Sequence, residues 1–131
     1  MNRFVGKEID PKLVNPLALA FVGDTVYDLF VREDLVCSNK FHVGKLHSLA
    51  VEKVKAKAQS EAAKKVLDHL GEEEKSIFMR CRNAHPKHLP KNASVEDYHY
   101  ATALEGVVGY LYLKDDFERL KQLFEIIGSD T

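Results

Sequence analysis

The stretch that decides the fold is LALAFVGDTVYDLFV, residues 17–31, together with its counterpart ATALEGVVGYLYL, residues 101–113. Both stretches are apolar nearly all the way round a helix, which is typical of helices that are buried on most sides. Each carries one acid near its middle, Asp24 in the first and Glu105 in the second. The sequence therefore predicts two central helices that each bring a carboxylate into apolar surroundings.

Small residues accompany both acids. Ala20 and Gly23 lie beside Asp24, and Gly109 follows Glu105 by one helical turn. A glycine inside a helix costs about 1 kcal/mol relative to alanine, so something must compensate for it. Residues without bulk along one helix face let a second backbone approach closely. The pattern predicts that the two acids lie where two helices touch.

Helical signals also dominate the rest of the chain, because apolar residues recur at three- and four-residue spacing and no strand-like alternation is sustained. Start and stop signals predict helices over about 16–33, in one or two segments between 43 and 71, over 72–83, from 94 to 113 and from 115 to 128. The segment AHPKHLPKNAS, residues 84–94, has two prolines and is the one substantial loop that we predict. The expected fold is an all-α domain of five to seven helices.

Length and composition limit the classes of protein. A chain of 131 residues with 45% hydrophobic residues predicts a single domain over residues 1–131. The 19 basic and 20 acidic residues nearly cancel, so bulk charge is no evidence for a polyanionic partner. Cys37 and Cys81 have no CxxC spacing, which argues against a disulfide framework or a cysteine-built zinc site. Without a signal-length or membrane-length apolar run, we expect a cytoplasmic protein with no membrane partner.

Two acids in apolar helices have three possible explanations. In the first, each acid pairs with a buried basic group or accepts N–H bonds from a cap, although Arg32 is two turns from Asp24. In the second, two protonated carboxyls share hydrogen bonds. In the third, both acids hold Mg²⁺, which prefers oxygen ligands and assists phosphodiester hydrolysis by polarising phosphate and activating water. The residues by themselves leave all three open.

A family resemblance favours the third explanation. LALAFVGDTVYDLFVR resembles the signature helix of ribonuclease III, whose hallmark is a leucine-phenylalanine-leucine-glycine-aspartate run, and Asp24 falls on its catalytic aspartate. ATALEGVVGYLYL resembles the second motif of the family, and Glu105 falls on its metal-binding glutamate. The resemblance is closest to the Mini-III subfamily, which has the helical nuclease domain without a double-stranded-RNA-binding domain. RCRNAHPKHLPKNASVEDYHYATALEG, residues 80–106, is the most specific match to it.

The expected ligand set is smaller than in most of the family. Ala20 and Thr102 stand where the common signature has a glutamate and an aspartate. The Mini-III branch shares both changes, so the resemblance implies a feature of the branch, and it leaves the number of metal ions open. Asp28, one turn after Asp24, is a candidate third ligand, a solvated residue, or a partner for Arg32 at four-residue spacing.

The resemblance also implies a symmetric homodimer whose two active sites flank a valley for an RNA duplex. A-form RNA is recognised through shape, phosphates and 2′-hydroxyls, which calls for distributed cations. Seven lysines between residues 40 and 65 form one basic stretch, although a charged helix face is usually only solvated. The loop region from 80 to 91 contains no acid and is the stronger candidate. The expected RNA contacts there are Arg80, Arg82, His85, Lys87, His88 and Lys91.

The resemblance thus predicts a magnesium-dependent endoribonuclease, with Mn²⁺ as a substitute, that cleaves double-stranded RNA and matures 23S ribosomal RNA precursors. Asp24 and Glu105 are its expected catalytic residues, and large-subunit ribosomal proteins are candidate partners. Two alternatives remain. One is a catalytically weak RNA-binding or ribosome-assembly module on the same fold, which Ala20 and Thr102 favour. The other is a structural homodimer with its acids in buried ion pairs.

Overall fold

The computed structural model of the chain describes residues 2–38, 40–84 and 94–128, and these residues form helices and no strand. The helices are α1 (Pro16–Ser38), α2 (Val43–Val54), α3 (Ala56–Leu67), α4 (Glu72–Arg82), α5 (Val95–Leu113) and α6 (Phe117–Gly128), preceded by a 3-10 turn at Pro11–Leu13. Six α-helices in the described part of the chain confirm the predicted all-α domain. None of them combines the length and apolarity that crossing a membrane requires.

Local capping explains where the two central helices begin. The side-chain oxygen of Asn15 accepts a hydrogen bond from the backbone N–H of Leu17 at 2.9 Å. At the start of α5, the hydroxyl of Ser94 accepts one from the N–H of Asp97 at 3.0 Å. Both caps satisfy N–H groups that have no partner inside the helix, as the sequence predicted.

The far end of α1 differs from the prediction. We expected this helix to end near Glu33, but it continues to Ser38. The reason is that Leu35, only 5% exposed, extends the buried stripe of α1 by another turn and belongs to the core. Burial of one more apolar side chain outweighs the weak local signal for an end at Glu33.

The core is built around α5, which packs against α1, α3, α4 and α6. Its side chains from Leu104 to Leu111 include several with almost no exposure, among them Val107 and Val108 at 0%. Tyr110 is 1% exposed, and its hydroxyl is hydrogen-bonded to the carboxylate of Glu73 on α4. The prediction that this helix is buried on most sides is confirmed.

The crossing of α1 and α5 is close enough to exclude any side chain from the contact. A Cβ added to Gly23 would overlap the backbone carbonyl of Glu105 and lie 2.8 Å from the backbone nitrogen of Gly109. A Cβ added to Gly109 would overlap the carbonyl of Leu19 and lie 3.0 Å from the nitrogen of Gly23. The two backbones are therefore in direct contact, which confirms the interpretation of the small residues.

The prediction that α1 is also buried on most sides was wrong. Its stripe of Leu19, Tyr27 and Val31 is buried, but Phe21 is 80% exposed and Leu29 is 58% exposed. No described helix of this chain covers that second apolar face. The face borders an open groove of about 500 Å³, whose lining includes Phe21, Val22, Leu29, Tyr112, Phe117 and Phe124.

The backbone contact makes a stability prediction. Gly23→Ala should lower the free energy of unfolding by about 3 kcal/mol, because two helix backbones must separate to admit the methyl group. Gly6→Ala is the matched control, since a Cβ at that position has no neighbour within 4 Å. Urea unfolding followed by circular dichroism measures both variants. Equal midpoints for Gly23→Ala and wild type would contradict the close crossing.

Candidate active site

The crossing of α1 and α5 brings the two predicted acids together. The side chain of Asp24 lies on the exposed side of the contact, whereas Glu105 is half-buried. Their carboxyl groups lie within hydrogen-bonding reach of each other. A hydrogen bond between two carboxyl groups needs a proton on one of them, since two carboxylates can only accept. The structure thus joins residues that are far apart in the sequence into one acidic pair.

The surroundings of Glu105 favour its protonated form. Burial raises the pKa of this carboxyl, and the hydrogen bond and negative charge of Asp24 raise it further, to about 9. A hydrogen bond with Gln59 acts in the opposite direction and lowers the pKa. Without a cation, Glu105 therefore keeps its proton at neutral pH.

Sequence reasoning missed Gln59. This residue lies on α3 and is 2% exposed, with its amide within hydrogen-bonding reach of the Glu105 carboxyl. It is at helical spacing from Ala62 and Ala63, which are also buried. A polar side chain on the otherwise small apolar face of α3 was the signal that could have revealed it.

Buried, uncharged residues occupy the two positions where the common signature of the family has acids. Ala20 is 7% exposed and Thr102 is 4% exposed. The hydroxyl of Thr102 donates a hydrogen bond to the carbonyl of Tyr98 in its own helix at 2.9 Å. Neither residue adds charge beside Asp24 and Glu105, so the site has two carboxylates at the crossing.

This donor set fits a hard divalent cation. Mg²⁺ binds oxygen ligands, often takes only one or two protein carboxylates, and completes its shell with water or substrate phosphate. Residues 2–38, 40–84 and 94–128 contain no cluster of three or more His, Cys, Asp or Glu side chains able to hold a metal ion. Two carboxylates with oxygen ligands from elsewhere suit Mg²⁺ better than zinc, whose structural sites need four protein ligands.

Asp28 makes the ion pair that was one of its three predicted roles. The guanidinium Nε of Arg32 lies 3.0 Å from Oδ2 of Asp28, at four-residue spacing on α1. Both side chains are exposed enough for such a pair to contribute little to stability. A role of Asp28 as third metal ligand stays a prediction.

Two of the six predicted RNA contacts lie in the described part of the chain. Arg80 donates hydrogen bonds to the carbonyls of Lys12 at 3.1 Å and Val14 at 3.3 Å, which fastens the N-terminal segment to α4. The guanidinium carbon of Arg82 lies 5.1 Å from the centroid of the Tyr100 ring. The other four, His85, Lys87, His88 and Lys91, lie outside the described residues. Contact with RNA stays a prediction for all six.

Comparison with known proteins shows what this chain is similar to. The family model of the ribonuclease III domain matches residues 17–116, a range that includes both acids. A Mini-ribonuclease 3 of Thermoanaerobacter is 47% identical over 113 residues, which cover 86% of this chain and 80% of that relative. A Mini-ribonuclease 3 of Clostridium tetani is 42% identical over 128 residues, with 95% and 85% covered. A crystal structure of a Fusobacterium nucleatum protein superposes with a TM-score of 0.82 at 33% identity and covers 92% of this chain and 96% of its own.

The raised pKa of Glu105 makes stability depend on pH when no metal is present. The folded state keeps a proton up to about pH 9, whereas the unfolded state releases it near the usual value of 4.5. The contribution of Glu105 to stability is therefore complete below pH 4.5 and is lost as pH rises towards 9. In EDTA, the urea midpoint of wild type should fall relative to that of Glu105→Gln between pH 5 and 8.5. A difference in urea midpoint that stays constant over this pH range would contradict the raised pKa of Glu105.

Proposed function

This chain belongs to the ribonuclease III family, and we propose that it cleaves precursors of 23S ribosomal RNA as a magnesium-dependent endonuclease of double-stranded RNA. It is an endoribonuclease, as its family and its relatives named Mini-ribonuclease 3 indicate. The observation that supports the metal site is the close pair of carboxyl groups of Asp24 and Glu105, where α1 and α5 cross at their glycines. Mn²⁺ is the expected substitute, because it too suits carboxylate and water ligands.

Asp24 and Glu105 are the side chains that would hold Mg²⁺. When bound, the ion supplies Lewis-acid polarisation of a phosphate oxygen and lowers the pKa of water for hydrolysis of the phosphodiester. The two carboxyls contribute two negative charges once Glu105 has lost its proton. The backbone contact at Gly23 and Gly109 keeps the two carboxyls together. The buried neighbours of Glu105 limit its access to bulk water, which strengthens its attraction to a cation.

We propose that the protein is a homodimer formed through the uncovered face of α1. Phe21 and Leu29 project from this face beside an apolar groove that Phe117 and Phe124 help to line. A twofold interface pairs the same patch from both copies, so a projecting aromatic ring beside an apolar groove is well suited to it. The dimer would carry two acidic pairs, which supports cleavage of both strands of a duplex.

The proposed location is the cytoplasm, and the proposed partners are large-subunit ribosomal proteins that present the precursor RNA. Both follow from processing of ribosomal RNA as the function. The basic residues at the end of α4 and those between positions 85 and 91 of the sequence are the proposed contacts with RNA phosphates. Of these, Arg82 combines its charge with the ring of Tyr100, which keeps the guanidinium at one place on the surface.

The second candidate function is a catalytically weak RNA-binding or ribosome-assembly module. The observation that favours it is the burial of Ala20 and Thr102 at these two positions, because the site then has two carboxylates fewer than the common signature. The two candidates differ in one measurable property, since only the nuclease needs a divalent cation for turnover.

Removal of either acid tests the catalytic assignment. Asp24→Asn and Glu105→Gln should each slow cleavage of a long RNA duplex in Mg²⁺ by at least about 100-fold, because each removes a charged metal ligand. Glu125→Gln, which neutralises an exposed acid on α6, should cut at the wild-type rate. The assay follows products on denaturing gels with and without Mg²⁺.

Binding of the uncut duplex by Asp24→Asn, measured by gel shift, distinguishes lost chemistry from lost binding. A wild-type cleavage rate in Asp24→Asn would refute its catalytic role. A wild-type protein that binds duplex RNA but never cuts it would establish the module instead.

A charge on the uncovered face of α1 tests the dimer. Phe21→Asp should convert the protein to a monomer in sedimentation velocity at tens of micromolar, because a carboxylate cannot be buried at an apolar interface without a partner. Val51→Asp is the control, since Val51 is also exposed but lies on α2, away from the groove. A wild-type protein that sediments as a monomer would refute the dimer.

A further inference from the structure

Gln59 is a polar side chain at a place where the fold would otherwise bury only small apolar groups. It is 2% exposed, and Ala62, Ala63 and Val66 on the same face of α3 are 8%, 0% and 0% exposed. Burial of an amide is unfavourable unless its hydrogen-bonding groups find partners. Gln59 lies on the face of α3 that packs on α5, and its amide is within hydrogen-bonding reach of the Glu105 carboxyl. Contact with the site therefore explains why a polar residue is buried here, because the packing of the core does not require one.

Glu105 has neighbours on two helices. Its carboxyl lies within hydrogen-bonding reach of Asp24 on α1 and of Gln59 on α3, while its own backbone belongs to α5. A glutamate side chain has three rotatable bonds and many alternative rotamers when only one end is held. A second hydrogen bond from a rigid neighbour restricts these rotamers. Gln59 thus limits the directions in which the Glu105 carboxylate can point.

Helix α3 is itself held firmly against α5. Its apolar face packs on that helix, and Lys64 forms an ion pair with Glu96 in the first turn of α5 at 2.9 Å. The ammonium group of Lys64 also lies 5.0 Å from the centroid of the Tyr100 ring. The apolar packing of α3 on α5 fixes the position of the Gln59 amide, and the exposed contacts of Lys64 add little to it.

We propose that Gln59 is a positioning residue that orients the carboxylate of Glu105 towards Asp24, so that both acids are ready to hold a divalent cation. This inference rests on the proposed function, in which the two acids are metal ligands. An amide N–H that donates to a carboxylate stabilises its charged, metal-binding form. The direction in which Gln59 changes the pKa of Glu105 agrees with such a donor.

The test replaces the amide without changing the packing. Gln59→Met has a side chain of similar length and volume that cannot donate a hydrogen bond. The Mg²⁺ concentration for half-maximal cleavage should rise by about 10- to 100-fold, while the KM for the RNA duplex stays at its wild-type value. Gln59→Leu is measured beside it, so that the result does not depend on the folding of one variant.

A second readout does not involve activity. Mg²⁺ or Mn²⁺ should raise the thermal unfolding temperature of wild type, and the Gln59 variants should need about 10- to 100-fold more metal for the same rise. Ser60→Ala is the matched control. Ser60 is the next residue, is 0% exposed, and its hydroxyl has no hydrogen-bond partner among the described residues. Its variant should keep the wild-type metal dependence, which a general disturbance of α3 would change.

The outcomes separate this inference from the proposed function. If Asp24→Asn and Glu105→Gln abolish cleavage and metal stabilisation, but folded Gln59→Met or Gln59→Leu responds to metal as wild type does, the positioning role is refuted alone. If Asp24→Asn and Glu105→Gln leave both properties intact, the metal site itself is refuted. An increase in KM for RNA with an unchanged metal dependence would make Gln59 a contributor to substrate binding and would overturn the inference.

Discussion

Two helix backbones touch where Gly23 of α1 meets Gly109 of α5, and the site depends on that contact. The hydrogen atoms of these glycines face the carbonyls of Glu105 and Leu19, in space that no larger side chain could share. The contact places Asp24 beside Glu105 as a consequence of backbone geometry, not of attraction between the acids. Packing of the large buried face of α5 thus holds the two carboxyl groups together, and they would repel each other once both are ionised.

The acidic pair is unfavourable for the isolated protein, and the proposed metal site would make use of it. Burial and the neighbouring charge raise the pKa of Glu105 to about 9, so Glu105 keeps a proton when the site has no cation. A divalent ion compensates the negative charge of two carboxylates more fully than a single proton does. Its binding at the proposed site should release the proton of Glu105. The hydrogen bond of Gln59 favours the charged carboxylate and so opposes the effect of burial. If the pair holds a metal as proposed, the fold balances the stability of the metal-free site against its readiness to bind metal.

The central helices could be predicted from the sequence because their pattern is local: Asn15 and Ser94 cap them, and glycines mark their contact. The pairing of Asp24 with Glu105 needed the family resemblance as well, since helix periodicity does not say which helices meet. Gln59 was missed because its burial depends on how α3 packs on α5, which is a tertiary property. The exposed face of α1 was misjudged for a related reason. The apolar side chain of Phe21 shows that this residue is suited to burial, but it does not show that another part of the same chain covers it.

In the proposed site, a divalent cation held by Asp24 and Glu105 would displace the proton of Glu105. Isothermal titration of the metal-free protein with Mg²⁺, repeated at pH 7 in buffers of different ionisation enthalpy, measures the protons released per bound ion. Wild type should release about one proton per bound ion, and Glu105→Gln should lose both binding and release. Binding of Mg²⁺ by wild type without proton release, or unchanged binding by Glu105→Gln, would contradict this exchange of a proton for a metal ion.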